Sequence, residues 1–302
     1  MMPGHGPNIG HGYVKYVLIE DAGERELVMP AQIAPAQRTV AGSLTAAQSV
    51  IMQGSAYWVG DDAQIAGSPL TILAANRLTD PVFIPALVAG AVARFGYLNG
   101  AAAGVCVTGL PATWASDPER ARELGKRLRD GHPGYTSIRV IPEPLGLVYA
   151  ALLDQDGRIS GDSALQSGAI GVIDLGHHTV DIAVVRRMLP VQSSLDTWQL
   201  GTARALSPIR ARLAAQTERE LSLYDTDQAI RAGAVQKAGQ SVALPFGWDQ
   251  PLIDLADQLV ARLTEVWGSG AALDAILIGG GGAELWRGRS GHHHGRQLQP
   301  ER

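Results

Sequence analysis

Asp174-Leu175-Gly176-His177-His178-Thr179-Val180-Asp181 is the stretch on which the fold turns. It interrupts a β-rich run, residues 170–185, only at Gly176-His177-His178, so it reads as strand, tight glycine turn, strand. A second copy stands near the start of the chain: Asn8-Ile9-Gly10-His11-Gly12-Tyr13-Val14-Lys15. The two align without a gap at an offset of 166 residues (174 − 8), sharing Gly, His and Val at equal steps. Asn stands against Asp at the head, and apolar alternation follows in both (16–19 against 182–185). A repeat over such a distance implies two equivalent halves. Glycine at each turn permits positive φ and lets backbone N–H groups approach an anion, so two such turns can grip one polyphosphate.

The rest of the chain supports an alternating α/β architecture. After the strand at 13–19 and its turn at Asp21-Ala22-Gly23, residues 30–75 are mixed, with short strand-like pieces such as 56–59. An alanine-rich buried helix is expected at 82–98, a Val-rich strand at 104–109, and a helix starting at Asp117-Pro118-Glu119. Residues 140–141 read as strand and 143–153 as helix. A polar connection, 154–168, divides the chain into domains 1–153 and 154–286. In the second domain, helices are expected at 203–216, 226–238 and 251–267. In the last of these, Leu252, Leu255, Leu259, Leu263 and Val266 recur at helical spacing. A strand at 275–278 runs into four glycines, 279–282, and a polar, His-rich tail follows at 287–302.

With 302 residues, 46% hydrophobic and 18% charged, the chain is globular and long enough for two cored domains. A net charge of -4 gives no basic field for direct nucleic-acid binding. Cys106 is the only cysteine and sits in an apolar run, which fits a buried core residue in a reducing, cytoplasmic compartment. No stretch reaches the roughly 18 apolar residues of a membrane span, so no membrane association is expected. No Gly-x-x-x-x-Gly-Lys-Ser/Thr loop occurs, and the glycine loops lack dinucleotide-binding spacing.

These ordered motifs resemble the actin superfamily, which is built from two duplicated halves. The first phosphate loop of that family is matched by Asn8-x-Gly10-x-Gly12-x-x-Lys15, and the second by the 174–181 stretch. Its adenosine loop is matched by Ile278-Gly279-Gly280-Gly281-Gly282-Ala283, and its connecting helix by Ile141-Pro142-Glu143-Pro144. Val107-Thr108-Gly109-Leu110-Pro111 and Leu200-Gly201-Thr202 bring the chain nearest to ParM/StbA-type plasmid segregation proteins and archaeal actin-like proteins.

The resemblance implies an α/β, actin-like fold with duplicated ribonuclease-H-like domains and a central nucleotide cleft. It implies ATP, or GTP, with Mg²⁺. By the same resemblance Asp174 holds Mg²⁺ through its waters and is catalytic, and Glu143 orients or deprotonates the attacking water. Asn8, Gly10, His11, Gly12 and Lys15 bind nucleotide, as do Gly176, His177, His178, Thr179 and Asp181. Gly201, Thr202, Gly280, Gly281, Gly282 and Ala283 complete the set, with Thr179 offering a hydroxyl donor. The histidines either donate to phosphate or point outward.

Asn8 replaces the family's usual Asp, which removes a charge beside the metal's water shell and slows hydrolysis more than binding. The implied function is an ATPase whose cycle is coupled to self-association into filaments, of the DNA-segregation type, with a DNA-binding adaptor as partner. A weakly hydrolysing or non-polymerising scaffold of the same fold is the alternative, and a small-molecule kinase a third reading.

Overall fold

Tyr13–Glu20 alternates buried and half-exposed side chains, with Val14, Tyr16 and Leu18 turned inward, because a strand packed on one face buries every second residue. This strand belongs to a computed structural model that describes residues 2–36, 49–64, 66, 69–72, 75–96, 103–154, 156–160 and 163–287. The chain forms two compact units, Met1–Tyr149 and Ala150–Arg302.

The first unit begins with β1 (Gly4–Ile9), β2 (Tyr13–Glu20) and β3 (Gly23–Pro30). A small antiparallel sheet follows from β4 (Ile33–Pro35), β5 (Ser49–Met52) and β6 (Ser55–Val59), in the order β4-β6-β5. Next come α1 (Asp61–Gln64), a 3₁₀ turn at Ala75–Leu78, α2 (Phe83–Arg94) and β7 (Gly104–Leu110). The unit continues with α3 (Ala112–Ala115), α4 (Pro118–Gly131) and β8 (Tyr135–Pro142), then enters α5 (Pro144–Leu152). Its main sheet runs β3-β2-β1-β7-β8, with β7 parallel to both β1 and β8. Pro7 cannot donate to a ladder, yet it lies on a central strand. The β1–β7 pairing is carried at Gly4 and His5, and beyond it the Thr108 hydroxyl donates to the Pro7 carbonyl at 2.6 Å.

The core holds Tyr16, Leu18, Phe83, Ile84, Leu87 and Leu128, each fully buried. Such a side chain contributes about 1.5–3 kcal/mol by leaving water. Cys106 is also fully buried, and burial pushes its thiol up to about 12, so it behaves as a small hydrophobe.

The second unit repeats the scheme. After α6 (Ser163–Ser167), β9 (Ala169–Leu175) and β10 (Val180–Arg186) form a hairpin. The short strands β11 (Leu189–Pro190) and β12 (Asp196–Trp198) both pair with β10. Then come α7 (Ala203–Thr217), α8 (Leu223–Ala232), the ribbon β13 (Ala234–Lys237) with β14 (Gln240–Ala243), α9 (Gln250–Trp267), β15 (Ala275–Gly279) and α10 (Glu284–Arg287). The sheet order is β11-β10-β9-β15, with β15 parallel to β9. In each unit, then, the first strand of a hairpin is flanked on its other side by a parallel strand reached later in the chain.

The fold corrects several details of the sequence reading. The helix expected at 226–238 runs instead from Leu223 to Ala232, capped by a Ser222/Asp225 box, and Gly233 at φ 69° ends it. Residues 234–237 are strand. The polar connection at 154–168 contains α6 and a bridge between Leu153 and Ile159. The His-rich tail beyond Arg287 lies outside the described residues. Among the described residues no helix is long and apolar enough to cross a membrane.

Candidate functional site

The two stretches aligned in the sequence fold into hairpins of the same register. Asn8 faces Lys15 and Ile9 faces Val14 in the first, and Asp174 faces Asp181 and Leu175 faces Val180 in the second. A Cβ at Gly10 would stand 2.7 Å from the Tyr13 carbonyl oxygen, and one at Gly176 2.8 Å from that of Thr179. The 166-residue offset therefore extends from spacing to register and to the same backbone crowding. Neither glycine adopts a positive φ. Close approach to a carbonyl, not left-handed backbone, is what excludes a side chain at both.

The second loop is held from behind by the start of α7. Backbone N–H groups of Gly201, Thr202 and Ala203 donate to the carbonyls of His178, Gly176 and His177, at 3.1, 3.2 and 2.8 Å. A planar trans peptide points its N–H opposite to the preceding C=O. The amides of His177, His178 and Thr179 are therefore all turned away from α7, and successive backbone N–H groups on one side of a turn suit an anion. Gly201 is required here, since its Cβ would lie 2.2 Å from the His178 carbonyl carbon.

Asp181 is buried and accepts from the hydroxyls of Thr179 at 2.9 Å and Thr197 at 2.6 Å. The hydroxyl hydrogen expected from Thr179 is thus committed to Asp181. Burial lowers the His177 pKa below its ordinary value; the Asp227 charge opposes this and His178 adds to it, leaving the ring neutral at pH 7.

Asp174 is the penultimate residue of β9, half-buried, with Gly279 of β15 beside it. Gly280 has φ +89°, and its Cβ would fall 2.2 Å from Asp174 Oδ1. Gly282 N–H donates to the Leu175 carbonyl at 2.7 Å, and Ala283 N–H to that of Gly280 at 3.2 Å. The third glycine loop is therefore packed directly on the second hairpin. Arg231 ties it down from α8, donating to the Gly281 carbonyl at 3.1 Å and to Asp227 Oδ2 at 2.9 Å.

In the first unit an arginine does the bracing. Arg77 Nη2 donates to the carbonyls of Ile9 and Gly10, at 3.0 and 3.1 Å, so the amides of Gly10 and His11 face the other way. The Gly12 carbonyl accepts from Ala31 N–H at 2.9 Å. Lys15 is exposed. Glu143 follows β8, its N–H bound to the Leu110 carbonyl at 2.9 Å, and its Cγ would lie 2.6 Å from a Cβ at Gly109. Ile9, His11, Arg77, Gly109, Trp114 and Glu143 share the lining of one pocket. Burial lowers the Arg77 guanidinium to about 10, with the Glu143 carboxylate opposing the shift, so the cation persists at neutral pH.

Within the first unit the fold thus gathers Asn8, Gly10, His11 and Glu143. Within the second it gathers Asp174, Gly176–Thr179, Gly201, Thr202 and Gly280–Ala283. Arg77, Asp227 and Arg231 escaped the sequence reading. Only the i, i+4 spacing of Asp227 and Arg231 on α8 could have signalled the latter pair. Among the described residues no three His, Cys, Asp or Glu side chains form a metal cage. Magnesium keeps its waters and takes phosphate oxygens with one or two carboxylates, a demand that the Asp174 carboxylate beside glycine-lined backbone fits.

Two family models match, "Actin like proteins N terminal domain" over residues 8–146 and "Archaeal actin homologue MreB-like, C-terminal" over residues 172–289. The chain is an actin-like protein. A comparison of its sequence with curated proteins returned no match. In structure this actin-like protein is similar to Ta0583, an archaeal actin homolog, with a TM-score of 0.68 and 20% identity over 95% of this chain and 90% of that one. Ta0583 in complex with ADP matches with a TM-score of 0.64 at 19% identity, again over 95% and 90%. The ParM of a 15-stranded filament from Clostridium botulinum matches at 0.65 and 16%, covering 95% and 90%. Bacillus thuringiensis ParM with AMPPNP matches at 0.60 and 16%, covering 95% and 89%. The actin-like fold expected from the motifs is the fold found, and its relatives include archaeal actin homologues and ParM proteins, as expected.

Proposed function

We propose that this actin-like protein binds ATP with Mg²⁺, hydrolyses it slowly, and assembles into filaments of the DNA-segregation type. The observation that carries the reading is the pair of hairpins, identical in register and in the carbonyl crowding at Gly10 and Gly176. The outward amides of Gly10 and His11, and of His177 to Thr179, take phosphate oxygens. Bound Mg²⁺ supplies charge neutralisation for the phosphates, and Asp174 is the carboxylate placed to hold it. Glu143 accepts a hydrogen bond from the attacking water and orients it. The glycine loop 280–283 lets backbone pass close to the adenosine.

The bound nucleotides in the Ta0583 and Bacillus thuringiensis ParM structures, and the Clostridium botulinum ParM filament, support the same reading by family likeness. Asn8 favours slow turnover, since an amide lacks the charge that would order the metal's waters. Light scattering and pelleting with and without Mg·ATP test the assembly. Scattering should rise on ATP addition. No rise at any protein concentration, with ATP bound, selects a non-polymerising scaffold instead. A DNA-binding adaptor would show as a partner that pellets with the filaments.

A further inference from the structure

The two units build their main sheets by one plan, up to the last strand. In the first, β7 lies parallel to β1 and is flanked on its far side by the parallel strand β8. In the second, β15 lies parallel to β9, and among the described residues no strand flanks its far side. Such an edge presents unpaired N–H and C=O groups, a template for another strand.

Which groups face that edge follows from β9. Gly176 N–H donates to the Thr179 carbonyl at 2.9 Å and Arg187 N–H to that of Gly168 at 3.1 Å, so the even-numbered residues of β9 bond β10. The odd-numbered ones bond β15. Ile276 stands opposite Gly171 and Ile278 opposite Ile173, so Ala275, Leu277 and Gly279 complete those bonds. The N–H and C=O groups of Ile276 and Ile278 are left on the open side. Their side chains are 48% and 55% exposed.

The other edges of the two main sheets are blunted. β3 carries Glu24, Arg25 and Glu26, β8 carries Arg139 and ends in Pro142, and β11 is two residues long and ends in Pro190. Charge and proline on an edge discourage pairing with another chain. β15, Ala-Ile-Leu-Ile-Gly, has neither. It is also complementary to itself. Turned antiparallel about Leu277, Ile276 of one copy faces Ile278 of the other, each exchanging its N–H and C=O with its opposite, and no charges meet. Residues 288–302 contain one large apolar side chain, Leu298, and offer no comparable strand.

We propose that β15 is a docking strand for a second copy of this chain, the two edges joining antiparallel across a two-fold axis at Leu277 into one continuous sheet. The contact stands apart from nucleotide-driven assembly and does not rest on the nucleotide reading.

Sedimentation equilibrium of the full chain without nucleotide tests this, on wild type, Ile276→Lys and Ile278→Glu, each checked for folding by thermal melting. A pairing of five residues is small, so wild type should dimerise with a dissociation constant on the order of 100 μM. Each variant alone should weaken that at least about tenfold, by placing a charge against isoleucine. The two variants mixed should associate at least about fivefold more tightly than either alone, because the lysine of one copy then faces the glutamate of the other. Wild type that stays monomeric at about 1 mM overturns the proposal, as do variants that associate like wild type. Mixing without rescue overturns it too, since the pairing register is then wrong. If neither variant folds, amide exchange on wild type decides. The N–H groups of Ile276 and Ile278 should exchange fast at about 10 μM and slowly at about 1 mM. Fast exchange at both concentrations overturns the proposal, and slow exchange at both shows the edge covered within one chain, which overturns it equally.

Discussion

Replacing Gly280 by alanine tests whether the third glycine loop owes its path to contact with Asp174. Two costs arise at once. The backbone sits at φ +89°, where an L side chain is strained by about 1–2 kcal/mol. The new Cβ would lie 2.2 Å from Asp174 Oδ1, 2.5 Å from the Leu175 carbonyl oxygen and 2.7 Å from the Leu175 nitrogen. Two of these three are backbone atoms that cannot swing aside, and relief to an ordinary contact needs a shift of about 1 Å. Overpacking of that kind costs about 1–3 kcal/mol.

The sum, about 2–5 kcal/mol, lowers the melting temperature by roughly 4–20 °C for a unit of this size. Gly125→Ala is the control. It sits inside α4 with only Arg129 Nη1, at 4.0 Å, near its Cβ position, so alanine there should stabilise by about 0.5–1 kcal/mol. Differential scanning fluorimetry reads both. A Gly280→Ala protein that melts within a degree of wild type would refute the placement of this loop on Asp174.

Other substitutions bear on neighbouring parts of the site. Asp181→Ala leaves the Thr179 and Thr197 hydroxyls without their shared acceptor and should cost about 2–3 kcal/mol in urea unfolding, with an unchanged m-value. His177 has a folded pKa below 6.5, so the unfolded chain binds its proton more readily. Its contribution to stability is therefore complete above about pH 6.5 and lost as pH falls toward and through the lowered folded value. Melting temperature should drop between pH 7.5 and 5.5, and less so in His177→Gln. Asn8→Asp restores a carboxylate to the first loop and should raise phosphate release under saturating Mg·ATP. No increase counts against the role given to this position.

The hairpins were legible because their requirements are local. A glycine that cannot carry a Cβ, a polar residue two before it and alternation after it are all written within eight residues, and the second copy supplies the check. What glycine accomplishes there was less legible: the chain suggested positive φ, and the fold uses close approach to Tyr13 and Thr179. Arg77 was invisible for a physical reason. Its bonds join positions 67 and 68 residues apart, and nothing in Ala75–Leu78 marks it as a partner of the Gly10 turn. The same holds for Glu143 over Gly109, where the close packing depends on β7 and β8 lying side by side. The β13–β14 ribbon was misread although Gly233 offered a stop signal, because the apolar spacing of α8 continues past it. Strand β1 carries two glycines and a proline, poor strand formers that are held in place by β2 on one side and Thr108 on the other.

Titration of Mg·ATP into the full chain by calorimetry, beside Gly176→Val, decides whether the paired hairpins hold a nucleotide. Wild type should bind one equivalent in the micromolar range, and Gly176→Val, whose Cβ would collide with the Thr179 carbonyl, should lose at least about tenfold while still melting cooperatively. Absence of wild-type binding at millimolar ATP, or a folded Gly176→Val protein that binds as tightly as wild type, would contradict it.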